Sequence, residues 1–110
     1  MIVHKFEKFT HLIPDQDSVI LFISEFKKKY SIFADNHLII DFSDKINTTI
    51  EELLLFLQIS YQHQNNGTSF VLICKGVSID EFPDEINIVP TYEEALDILE
   101  MDAIERDLKF

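Results

Sequence analysis

Basic residues are scarce in this chain, with nine lysines and arginines against twenty aspartates and glutamates and a formal net charge of -11 over 110 residues. A surface of that sign repels phosphate backbones and anionic lipid. Neither direct nucleic-acid binding nor membrane binding is therefore expected; the acidity serves either plain solubility or a protein partner with a basic face. Glycine is scarcer still. Gly67 and Gly76 stand alone, so no glycine-rich turn can be written that would cradle a phosphate. A single cysteine forbids an internal disulfide. Cys74 follows the apolar run Phe70-Val71-Leu72-Ile73, where a thiol behaves as a small hydrophobe, and a reducing compartment fits this usage.

No stretch approaches the roughly 18 unbroken apolar residues of a membrane span. Met1 to Lys8 carries charges every few residues in place of a secretory apolar region, so a cytoplasmic location is expected. The four histidines, His4, His11, His37 and His63, are dispersed. None has the close spacing of a helical zinc motif, and each is expected to be an exposed or strand-edge side chain and not a ligand. With no nucleophile beside a base, no clustered ligands and no phosphate loop, no catalytic residue, metal or cofactor is expected, and the protein reads as a non-enzyme.

What is present is a core. The hydrophobic fraction is 46% with ten phenylalanines and only three prolines, enough for one domain spanning residues 1–110 and far from a disordered composition. Residues 2–13 alternate in part and predict one or two strands closed by Pro14. From Asp15 the period becomes helical at Val19, Phe22, Ile23, Phe26 and Tyr30, with Asp15, Asp17 or Ser18 to cap the helix. Lys27-Lys28-Lys29 is expected near its negative end. His37 to Phe42 is a short apolar run that turns abruptly polar, as in a buried parallel strand, and Phe70 to Cys74 repeats the pattern. Between them Thr48 and Thr49 each precede a glutamate by three residues, predicting a capped helix that runs to Asn65-Asn66-Gly67. Ile86 to Val89 suits a short edge strand. Thr91-Tyr92-Glu93-Glu94 opens the last helix with another capping box. Strands alternating with helices predict an α/β fold with a mixed, mostly parallel sheet and about three helices packed against it.

The junction from Asp41 to Thr49 is the place where chemistry or recognition is most expected, because ligands and modifications in open α/β sheets gather at the carboxyl ends of strands. Asp41, Ser43, Asn47, Thr48 and Thr49 are the candidate residues. The hydroxyls at 43, 48 and 49 either bind turn amides and cap the helix or accept a phosphate that the helix start favours. A second candidate is the last helix, where Glu93, Asp97 and Glu100 form an acidic stripe at i, i+4, i+7. That stripe is either a solvated face or a docking site for a basic partner. The second helix, with Ile50, Leu53, Leu54, Leu55, Phe56, Leu57 and Ile59, has a wider apolar arc than packing on one sheet requires.

The order of these elements, with His37-Leu38-Ile39-Ile40-Asp41-Phe42-Ser43 leading into a helix and then Gly67-Thr68-Ser69-Phe70-Val71-Leu72-Ile73, resembles a STAS domain, the fold of anti-sigma-factor antagonists. The resemblance covers residues 37–104, with the N-terminal third matching in outline. Family members read strand, D-x-S, a few residues, then D-S-x-G at the helix start, where the first serine is phosphorylated by a partner kinase. Asn47-Thr48-Thr49-Ile50 occupies that place here. Asparagine replaces the aspartate, threonine the serine and isoleucine the glycine, and the connection from Asp41 is about two residues shorter. By resemblance Thr48 is the nearest match to the phospho-acceptor. Short chains of this kind ending in a glutamate-rich helix also look like a group sometimes labelled ribonuclease Z, although the histidine and aspartate metal motif of that enzyme is missing here.

The resemblance implies a regulatory protein-interaction module whose partner is a sigma-regulating kinase or an associated enzyme. The alternative is an acidic inhibitor or accessory subunit of a basic enzyme such as a nuclease, acting through the last helix. A receiver-like phosphotransfer role for Asp41 finds little support, since Pro14-Asp15 and Lys75 make a poor acidic pair and lysine for it.

Overall fold

The computed structural model describes residues 1–42, 48–76, 83 and 86–108. Strands β1 (Ile2–Lys5) and β2 (Thr10–Ile13) form an antiparallel hairpin. Helix α1 (Val19–Phe33) leads to β3 (Leu38–Asp41). Helices α2 (Ile50–Leu54) and α3 (Leu57–Asn65) lead to β4 (Phe70–Ile73). Strand β5 (Asn87–Val89) and helix α4 (Tyr92–Leu108) follow. The sheet runs in chain order, β1-β2-β3-β4-β5, with every pair after the first parallel. The expected architecture is thus present: a mixed, mostly parallel sheet carrying three helical units, α1, the α2–α3 pair and α4.

A sheet whose parallel strands are added in one direction through right-handed crossovers puts the crossover helices on one face. Here α1 and α2–α3 share that face with Leu12, Leu38, Ile40, Phe70 and Leu72. Phe22, Phe26, Phe56 and Phe70 have no exposed surface and lie 5.9–6.4 Å apart between ring centroids along the chain of contacts. Each contributes about 1.5–3 kcal/mol of apolar burial. The alternate residues Ile39, Val71, Ile73 and Val89 face the other way, against Ala95, Leu96 and Leu99 of α4. Helices on both faces are the reason β3 and β4 read as continuous apolar runs instead of alternating ones.

Local signals set the boundaries. Ser18 caps α1 by accepting from the Leu21 N–H at 3.2 Å. The lysine triplet does not reach the helix end as expected, because α1 continues to Phe33 and has no basic residue in its last turn; Lys29 instead pairs with Glu25 at 2.8 Å. Of the two overlapping capping boxes, Thr49 with Glu52 forms and is reciprocal. Thr91 Oγ1 accepts from the Glu94 N–H at 3.1 Å at the start of α4.

The second helix departs from expectation by breaking at Leu55–Phe56. Short-range bonds from the Leu55 N–H to the Glu52 carbonyl and from the Phe56 N–H to the Leu53 carbonyl, each 3.1 Å, tighten the chain there. In such a tightened turn residues i and i+3 eclipse, which stacks Leu53 and Phe56 on one inward row, both fully buried. The price of that alignment is Leu55, left 50% exposed.

Candidate functional site

The strand-to-helix junction is divided by the sheet. On β3 the side chains alternate, so Asp41 lies on the α4 face with Ile39. There its Oδ2 is 3.1 Å from His11 Nε2 on β2. The Tyr92 ring at the start of α4 lies 5.0 Å from the His11 ring, and His4, the partner of His11 across the hairpin, lies 6.1 Å from it. Burial and the nearby Asp41 carboxylate both hold the Tyr92 phenol above its ordinary range. Thr48 belongs to the opposite side. Its Oγ1 is 3.0 Å from Cys74 Sγ, and Cys74 is part of the core shared with α1 and α2–α3. Asp41 and Thr48 are therefore not brought together. Thr49 is exposed and engaged as the helix cap, and Ser43 and Asn47 lie outside the described residues.

The His11–Asp41 pair ties the hairpin to the centre of the sheet. His11 is 9% exposed, so the pair is screened from solvent. The expectation of exposed or strand-edge histidines needs a larger correction at His63, which has no exposed surface. Its Nε2–H donates to the Asn36 carbonyl at 2.6 Å, which leaves Nδ1 to accept from the Tyr30 hydroxyl at 2.5 Å. That arrangement satisfies a neutral ring, and burial pushes its pKa below the ordinary value, with the Asn36 bond opposing. Thr10 Oγ1 donates to Asn36 Oδ1 at 2.8 Å and extends the network from α3 through the α1–β3 connection to β2.

At the same end of the sheet His37 Nδ1 accepts the Ser69 N–H at 2.9 Å, and the Ser69 hydroxyl donates to Asp102 Oδ2 at 2.7 Å. Serine, histidine and aspartate are present without the geometry of a hydrolytic triad, because the hydroxyl is directed at the carboxylate and the imidazole holds the backbone. Arg106 reaches Ser69 Oγ at 3.4 Å. No group of three histidine, cysteine, aspartate or glutamate side chains among the described residues is placed to hold a metal ion.

The acidic stripe is where the pattern put it. Glu93, Asp97 and Glu100 are all on the exposed side of α4. Spacing alone did not reveal what lies between the acids: Met101, Ile104 and Leu108, at i, i+3, i+7, are 56%, 59% and 66% exposed. At 100° per residue these three fall within one outward quadrant with Asp97, flanked by Glu93, Glu100 and Asp107 on one side and Glu94 and Glu105 on the other. The opposite side of the helix carries Ala95, Leu96 and Leu99 onto the sheet. Of the residues that sequence reasoning passed over, His63 had a detectable signal in its helical spacing from Phe56 and Ser60. His11 and Arg106 had none, since their partners are 30 and 37 positions away. No protein-family model matches the chain, and no curated protein sequence matches it.

Proposed function

We propose that the protein is a non-enzymatic regulatory module that works by binding another protein, and that it docks through the outer face of α4 into an apolar groove with a basic rim. The observation that carries the reading is the exposed row Met101, Ile104 and Leu108 among carboxylates. A helix laid into a groove is anchored by apolar side chains at this spacing. A net charge of -11 steers it toward a positive surface. This corresponds to an acidic inhibitor or accessory subunit of a basic enzyme.

The STAS-like reading, with a sigma-regulating kinase or associated enzyme meeting the start of α2, draws support from the order of elements and from Thr48 at the end of the parallel strands. Its hydroxyls are already engaged, Thr48 with Cys74 and Thr49 in the cap, whereas the α4 row is open.

The two are separated with a photo-crosslinking side chain placed at Ile104, the crosslinked protein being identified and its affinity then measured by titration. Reversal of Glu93, Asp97 and Glu100 to lysine is expected to weaken that affinity tenfold or more, with Thr49→Asp without effect. Loss of binding on Thr49→Asp with unchanged affinity for the triple lysine variant would refute docking through α4 and favour the α2 start.

A further inference from the structure

Between the hairpin turn and the inner side of α4 lies an open cleft of about 540 Å³, within the roughly 300–1,000 Å³ typical of small-molecule sites. Its wall is apolar along Phe9, Leu96, Leu99 and Ala103, and at one end it meets His37 and Arg106. Arg106 is the chain's one arginine. It is half-buried, its one hydrogen bond among the described residues goes to Ser69 Oγ at 3.4 Å, and it makes no ion pair among them in a chain with twenty acidic residues. His37 has a second unspent donor. Because Nδ1 accepts the Ser69 N–H, the neutral ring carries its proton on Nε2, and that N–H has no partner among the described residues.

From these features we infer that the cleft binds a small organic carboxylate with an apolar body, its head on Arg106 and His37 and its body along Phe9, Leu96 and Leu99. A guanidinium fork matches a carboxylate in plane and in spacing. A half-buried cation whose nearest carboxylate, Asp102, meets it only through the Ser69 hydroxyl still has a guanidinium face that a bound anion can pair directly. Lys8 adds a second positive group at the rim, and the two carboxylates that line the cleft, Glu7 and Glu100, are exposed and so screened by solvent. Asp102, one turn from Arg106, is already the acceptor of the Ser69 hydroxyl. The site uses the inner side of α4 and shares only Glu100, at its edge, with the outer face.

The test titrates the whole isotope-labelled chain with sodium octanoate while its amide and Arg106 side-chain resonances are followed, with 1-octanol as the neutral control. Saturable shifts at Phe9, Leu96, Leu99 and Arg106 are expected, with octanol at least tenfold weaker. Arg106→Gln should weaken octanoate at least tenfold and leave octanol unchanged, and Arg106→Lys should recover part of the loss. Ala103→Leu, which fills the cleft without altering charge, should weaken both ligands and serves if Arg106→Gln does not fold. Equal affinity for octanoate and octanol, wild-type affinity in a folded Arg106→Gln or in Ala103→Leu, or no saturable shift at these residues would each overturn the inference.

Discussion

Replacing His63 with phenylalanine keeps a ring of similar size against Phe70 and Tyr30, whose centroids both lie 5.7 Å from the imidazole, and removes only its two polar contacts. The Asn36 carbonyl loses its donor, which costs about 1–3 kcal/mol for a buried acceptor. The half-buried Tyr30 hydroxyl loses an acceptor, worth about 1 kcal/mol net. A destabilisation of about 2–4 kcal/mol at pH 8 is expected. The pH dependence is the sharper part. Burial lowers the His63 pKa from its ordinary value of 6.5, so below that pH the unfolded chain takes up a proton that the folded chain refuses. Stability is therefore complete above pH 6.5 and falls as the pH drops toward the folded value, by at most about 1.4 kcal/mol per pH unit for one group. His37 is lowered as well, first by burial and then by Arg106, so the wild type slopes in the same direction at both sites and the variant at one. The cost of His63→Phe should shrink by as much as about 1 kcal/mol between pH 6.5 and 5.5. Urea unfolding followed by circular dichroism at pH 8, 6.5 and 5.5 measures it. A constant cost across that range would refute a neutral buried His63.

The helix break predicts a contrast between neighbours, with Phe56→Ala costing about 3–5 kcal/mol and Leu55→Ala staying within about 0.5 kcal/mol in the same urea assay. A similar contrast is expected at the α2 start. Thr49→Asp keeps a capping acceptor and should change stability by no more than about 0.5 kcal/mol, whereas Thr48→Asp sets a carboxylate against Cys74 Sγ at the core edge and should cost about 1–3 kcal/mol; comparable thermal midpoints for the two variants would contradict the assignment of the cap.

The fold was legible wherever the determinant was local. Continuous apolar runs at His37 to Phe42 and Phe70 to Cys74 identified β3 and β4 because burial on both faces leaves no alternation, and the caps at Ser18, Thr49 and Thr91 marked helix starts because side-chain acceptors for orphan amides lie within three residues. The break at Leu55–Phe56 was hidden. Seven apolar residues between Ile50 and Ile59 satisfy many helical phases, and only contact with Phe22, Phe42 and Phe70 selects the one that buries both Leu53 and Phe56. The candidate site was less legible for a related reason. Asp41 and Thr48 are close in sequence, but the alternation of β3 sends Asp41 to the α4 face, while Thr48 bonds to a residue of the opposite core. Polar partners such as His11 with Asp41 and His63 with Asn36 are 27–30 positions apart, and no periodicity encodes them.

Helix α4 shows how one segment serves two surfaces. Its inner row supplies Ala95, Leu96 and Leu99 to the sheet, which suffices to hold a helix against β3, β4 and β5. Its outer row of Met101, Ile104 and Leu108 adds nothing to that packing. Glu105 and Asp107 near the helix end oppose its dipole and each costs a few tenths of a kcal/mol, so neither the apolar row nor its acidic border is accounted for by the stability of the isolated chain. A border of like charges does one thing for a free apolar row: it keeps two copies of the same face apart, because self-association would set carboxylates against carboxylates. Against a basic rim the same charges attract. Under the docking proposed through α4, the charges that disfavour a second copy are the same ones that draw in a cationic rim, which would make the acids a device of specificity as well as of solubility.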